Sequence, residues 1–280
     1  MKKLSLFFIM LFVAMLFVNC ESNSPTGSSS SKGIGVFSVG EGKTVTFSPG
    51  NLQYHPANNE WHFAENQWDY VGEANSNISS TYDGWIDLFG WSADNTSAPF
   101  GVSTSTNYND YSGSFVDWGT NKIGNDAPNT WRTLTHEEWM YIFYDRENAQ
   151  SLFALGNVDG MNGMIILPDN WTTPAGVNFA ANTTFQIMAD GYIGGDFSHN
   201  TYTSEQWMKM EKAGAVFLPA GGGRVNTDLL YIDEYGHYWS SEIVIEDQAA
   251  SVVFCSDILV PYYTTSRLYS GLSVRLAKDL

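Results

Sequence analysis

The chain has 280 residues, with 13 Lys and Arg against 30 Asp and Glu, a formal charge of −17. That balance argues against a phosphate backbone or an anionic membrane face as a partner, since both call for a basic surface. The two cysteines are Cys20 and Cys255, and Cys20 falls in the leader, so the globular part holds no disulfide framework.

Lys2 and Lys3 precede an apolar run from Leu4 to Val18. About fifteen apolar residues suit a signal peptide, whereas a membrane-spanning helix needs roughly twenty. The sequence therefore predicts a signal peptide over residues 1–19. Residues 20–32 are rich in Ser and Gly with nothing apolar to bury, and read as a flexible tether. The rest, 33–280, reads as a single domain. Its 10 Trp, 15 Tyr and 17 Phe supply material for a large core.

Val36-Phe37-Ser38-Val39 and Thr44-Val45-Thr46-Phe47 flank a Gly-rich turn and read as a hairpin. Asn51–Tyr54 and Trp61–Ala64 continue with period two across a turn at Pro56–Asn59. Periodicity then fades between Asn75 and Pro128, a stretch long enough to suggest a binding or lid segment. Its aromatic residues, Trp85, Trp91, Tyr108, Tyr111 and Trp118, stand among Asn, Asp, Gly and Ser. Such rings among polar side chains suit sugar rings or peptide chains, and equally serve as buttresses for a loop layer.

Thr135 with Glu138 has the spacing of a capping box, and Trp139, Ile142, Phe143 and Arg146 recur on one face of a predicted helix of about a dozen residues. Met164–Pro168 reads as a buried strand closed by proline. Thr203 with Gln206 repeats the capping spacing, with Gly214 placed to end a second helix over Ser204–Ala213. Strands are expected at Ala215–Pro219, Tyr231–Ile232, Gly236–Ser240, Ala250–Phe254 and Ser273–Leu276. Two capped helices among many strands read as α+β. Cys255, in an apolar strand, reads as a small buried hydrophobe.

Two resemblances add to this. Leu16-Phe17-Val18-Asn19-Cys20 resembles a bacterial lipoprotein signal, although Phe17 and Asn19 stand where small residues are usual. It implies lipidation of Cys20 and a membrane partner reached through that lipid, at the outer membrane and the cell surface. Trp131-Arg132-Thr133-Leu134-Thr135 with Glu138-Trp139 resembles the W-R-L-P-T-x-x-E-W segment of two bacterial groups, with Thr133-Leu134 in place of Leu-Pro. One is the formylglycine-generating, sulfatase-modifying enzyme family. The other, to which the chain is more similar, is the Fibrobacter succinogenes major paralogous domain. Leu218-Pro219-Ala220-Gly221, Arg224, Gly236-His237-Tyr238-Trp239-Ser240-Ser241 and Gly271-Leu272-Ser273-Val274-Arg275 follow its motifs in order. The resemblance implies a C-type-lectin-like fold, with twisted antiparallel sheets, two short helices and a long loop region.

The candidate chemistries are few. Formylglycine generation needs a cysteine pair, and Cys255 has no second thiol near it. No two of His55, His62, His136, His199 and His237 have the helical spacing of zinc ligands. Neither Asn107, Asn109 and Asp110 nor Asp233 and Glu234 match a calcium loop, so a structural calcium is the most metal expected and no other cofactor is. No Gly-x-Ser-x-Gly is present, and Gly221-Gly222-Gly223-Arg224 lacks the Lys that would make it a phosphate loop. His136 is expected to face solvent. Arg132, Arg224 and Arg275 are expected to form buried bidentate pairs with carboxylates such as Glu138.

The expected function is non-catalytic recognition of a glycan or a surface protein. Trp85, Trp91, Tyr108, Asp110, Tyr111 and Trp118 are the expected contacts, and Trp131, Arg132, Glu138, Trp139, Arg224, Trp239 and Arg275 the scaffold. An extracellular polysaccharide hydrolase and a fimbria-tip or structural component are the alternatives.

Overall fold

The computed structural model describes residues 34–181, 186–188, 191–193, 195–256, 258–260 and 265–280. The segments expected to be a signal peptide and a tether, with the expected lipidation site Cys20, lie outside the described residues. The architecture is α+β, mostly antiparallel, with short helices.

The hairpin predicted near the start forms as Phe37–Gly40 and Lys43–Phe47, turning at Gly42 with a left-handed φ of +68°. Its second strand pairs with Leu276–Asp279 near the carboxyl end, and that strand pairs in turn with Arg132–Thr133. One four-stranded sheet thus joins both ends of the domain to the start of the first helix. A second sheet runs Thr201–Tyr202, Phe153–Val158, Met161–Ile166 and Val216–Pro219. A third is built on the long pair Gly236–Ile245 and Gln248–Cys255. The strands predicted at Asn51–Tyr54 and Trp61–Ala64 form one residue displaced, as Leu52–His55 and Glu60–Phe63, and pair with each other.

Both capping boxes form. Thr135 accepts the amide of Glu138, whose carboxylate accepts the amide of Thr135, starting helix α1 at His136–Met140. The helix then widens into a π-helical turn over Tyr141–Asp145, shorter in all than the predicted dozen residues. Trp139, Ile142, Phe143 and Arg146 are buried as expected. Thr203 and Gln206 open helix α2, Ser204–Lys212, and Gly214 follows it with a φ of +96°.

Two predicted strands are corrected. Tyr231–Ile232 is a turn, and the strand beside it is Asp228–Leu230. The last strand begins at Leu276, while Ser273 makes only a bridge to Tyr238. Cys255 is buried in its strand.

The core has two parts. The first gathers Phe37, Phe47, Trp139, Phe143, Trp207 and Phe217 between the first two sheets and the helices. The second gathers Trp61, Phe89, Trp91, Tyr111, Trp118 and Trp239. The loop segment between Asn75 and Pro128, with its series of short 3-10 turns, therefore owns much of the second core.

Candidate binding site

The expected contact set does not assemble. Trp91, Tyr111 and Trp118 are fully buried, which corrects the expectation that they face a ligand. Trp91 packs edge-on to Trp239 at 5.4 Å and against Phe115 at 4.8 Å. The Tyr111 hydroxyl donates to the Ser105 carbonyl at 2.8 Å, and Trp118 Nε1 donates to the Phe100 carbonyl at 3.0 Å. The polar tips of Tyr111 and Trp118 are satisfied inside, and all three rings buttress the loops. Trp85 is half-buried, with His62 stacked on its face at 3.6 Å and His55 meeting it edge-on at 5.1 Å. Tyr108 and Asp110 are half-buried on one 3-10 turn, where Asp110 accepts the Ser105 hydroxyl.

The arginines divide. Arg132 makes the expected fork, although half-buried rather than buried: Nη1 and Nη2 each donate to Glu138 at 2.7 Å, while Nε and Nη2 reach Asp279. The hydrogen bond to Glu138 is the main reason its guanidinium holds its proton above the usual range. Arg224 and Arg275 are corrected: both are buried, and neither pairs with a carboxylate among the described residues. Arg224 donates to the carbonyls of Leu88 and Asn226, and Arg275 to the amide oxygens of Asn51 and Gln67. Burial lowers both guanidinium groups to about 10. His136 is half-buried rather than solvent-facing, with its amide and Nδ1 both bonded to Glu242.

A different surface brings aromatic faces and carboxylates together. It is a cleft of about 350 Å³ lined by Trp68, Asp69, Tyr70, the turn Asp159–Gly160 with Met161, and Asp233. Each part is held from below. Gln67 is buried, donating to Glu211 at 2.9 Å and to the Ala215 carbonyl at 3.2 Å while accepting from Phe217 and Arg275. That anchor fixes the turn carrying its neighbours. Trp68 is half-buried against the first core, and Tyr70 is 39% exposed. Asp69 Oδ2 accepts from both nitrogens of Asn66, at 2.9 and 3.1 Å.

Asp159 and Gly160 form the tip of the hairpin Phe153–Val158/Met161–Ile166, with φ of +52° and +91°. Both values are positive, as in the two-residue turn that suits the twist of paired strands and favours Asp-Gly. Asn162, just beyond, donates its amide to Asp233 Oδ1 at 2.7 Å and its side chain to the Asp233 carbonyl at 2.9 Å. Asp233 itself has a φ of +62°, and Tyr231, which is 58% exposed, a φ of +57°. A bulky residue in that region is strained. The loop is held nonetheless by bonds from Asp233 to the Ala220 carbonyl, and from Tyr235 to that of Tyr231. Tyr231 lies 5.0 Å from Tyr235, which stacks on His237 at 5.7 Å. Burial lowers His237 to about 4, so it is neutral at physiological pH.

Among the described residues no Lys or Arg pairs with Asp69, Asp159 or Asp233. By contrast, in the groove over the start of α1, Glu138 and His136 are already paired, with Arg132 and Glu242. Two signals in the sequence point to this cleft. Asp-Gly between apolar stretches marks a hairpin tip. Trp68-Asp69-Tyr70 places two rings beside an acid a few residues after the strand Glu60–Phe63. Comparisons of the chain with family models, with characterised proteins and with solved structures find no match.

Proposed function

We propose that the chain is a non-catalytic recognition protein of the cell surface that binds a glycan or protein ligand at the Trp68–Tyr70 cleft. The observation that carries the reading is the cleft itself. Two aromatic side chains, the half-buried Trp68 and the exposed Tyr70, follow a buried Gln67 and stand beside carboxylates that no Lys or Arg among the described residues pairs with. Aromatic faces with a few directed polar groups form the usual lining of a specific binding site.

Three carboxylates around one cavity also favour a hydrolase, since glycoside hydrolysis employs a pair. Asp69 and Asp233 each have one oxygen engaged, by Asn66 and by the Asn162 amide, and two aromatic side chains line the same cavity, which supports recognition as the first reading.

The proposal includes a C-type-lectin-like domain of the Fibrobacter paralogous type, lipid-anchored through Cys20 at the outer membrane. Its support is the sheet that joins the two ends of the domain, the two capped helices, the long loop layer and the ordered motifs from Trp131 onward. The test is a glycan array together with a pull-down from surface extracts, using the full chain. Recognition predicts a ligand whose binding weakens in Tyr70→Ala. A ligand bound equally well by Trp68→Ala and Tyr70→Ala, or no ligand at all, refutes it.

A further inference from the structure

Resting on that reading, we propose that the group seated in the Trp68–Tyr70 cleft is an uncharged sugar ring of a glycan, not an acidic sugar and not a cationic side chain. Three observations converge on this. Trp68 and Tyr70 line the cavity with aromatic rings, whose negative quadrupole and apolar surface match the C–H face of a pyranose. Asp69, Asp159 and Asp233 line the same cavity without a base among them, so a uronate, sulfate or phosphate meets only like charge.

The third observation is how the acids are held. They come from three separate segments, and two of them are pinned on one side: Asp69 Oδ2 by Asn66, and Asp233 Oδ1 by the Asn162 amide. Each keeps its other oxygen as a directed acceptor. Separate, fixed acceptors around an aromatic wall suit several hydroxyl groups on one ring better than a single point charge. The open turn at Gly160, where an added Cβ meets nothing within 4 Å, leaves room for a chain to continue outward. A cavity of about 350 Å³ sits at the small end of ligand sites, the size of a mono- or disaccharide unit.

The experiment is titration of the full-length protein, followed by the fluorescence of its tryptophans and by calorimetry. The probes are neutral di- and tetrasaccharides of glucose, mannose, galactose and xylose, their uronate and amino-sugar counterparts, and a Lys/Arg peptide. The expected result is binding of one neutral series, little changed by salt, and weakened about tenfold in Tyr70→Ala and in Trp68→Ala. Asp159→Asn, at an exposed turn, keeps the fold and alters preference among neutral epimers. Preferred binding of the uronate, amino sugar or basic peptide, lost in Tyr70→Ala and in high salt, overturns the neutral-sugar assignment and leaves recognition at the cleft standing. Neutral-sugar binding indifferent to both aromatic variants overturns the site. Binding of none of the probes, with a protein still captured through Tyr70, overturns the sugar class alone.

Discussion

Replacing Arg132 by Ala removes a clamp that ties three segments together. The guanidinium is forked onto Glu138 through two bonds of 2.7 Å and reaches Asp279 in the last strand. Glu138 is also the return arm of the capping box on α1. The two halves of the clamp are unequal. The Asp279 side chain is 69% exposed, so screening leaves that half worth no more than a few tenths of a kcal/mol. The Glu138 side chain is only 13% exposed, and losing a charge-assisted, two-pronged partner there costs about 1.5–3 kcal/mol. A loss of about 2–3 kcal/mol in a domain of this size lowers the melting temperature by about 4–10 °C. Thermal unfolding followed by circular dichroism at neutral pH measures it. Arg132→Lys retains the charge but not the fork and falls between the two. Raising the salt concentration weakens the Asp279 half and spares the Glu138 half. If Arg132→Ala melts with the wild type, desolvation cancels the pair and the clamp is not what holds α1 to the terminal sheet.

Three further outcomes follow from the same geometry. Burial pushes Asp87 from its ordinary 3.8 up to about 6, so the folded state binds this proton more tightly than the unfolded chain. Stability from this group is therefore full below pH 4 and lost as the pH rises to 6, by up to about 3 kcal/mol, and Asp87→Asn flattens that slope in denaturant titrations across the window. Gly271→Ala places a Cβ 2.9 Å from Nε of the buried Arg224, and overpacking of about 1–3 kcal/mol should appear as a lower urea midpoint. A wild-type midpoint would mean that the guanidinium can move. Trp118→Ala, emptying the second core, should cost about 3–5 kcal/mol while the folded fraction binds ligand as before. Selective loss of binding in a stable Trp118→Ala would return the site to the loop layer.

How much of this was legible beforehand depended on the range of the interaction. Both capping boxes were readable because Thr135–Glu138 and Thr203–Gln206 close hydrogen bonds within one turn of the backbone that carries them. The hairpins at Phe37–Phe47 and Leu52–Phe63 were readable because alternation and turn residues are local as well. The loop aromatics were not. Whether Trp91 is a contact or a buttress depends on Trp239 lying against it, nearly 150 residues away in the chain.

The arginines make the same point in finer detail. Arg132 has its carboxylate six residues on, in the next element, so the pairing could be guessed. Arg224 and Arg275 occupy equally marked motif positions, yet the fold offers them carbonyl and amide oxygens. Nothing local to either residue distinguishes the two outcomes.

By itself the sequence determined the helix starts, the hairpin turns and the α+β class, because these rest on bonds between near neighbours. The tertiary structure alone decided which rings are buried. It also made the cleft, by bringing Trp68 and Tyr70, the Asp159–Gly160 turn and Asp233 to one surface. The physical reason is that a cleft is a relation between segments. Gln67 and Asn162 fix it through hydrogen bonds across the fold, to Ala215 and Glu211 in one case and to Asp233 in the other, and none of these follows from the residues beside them.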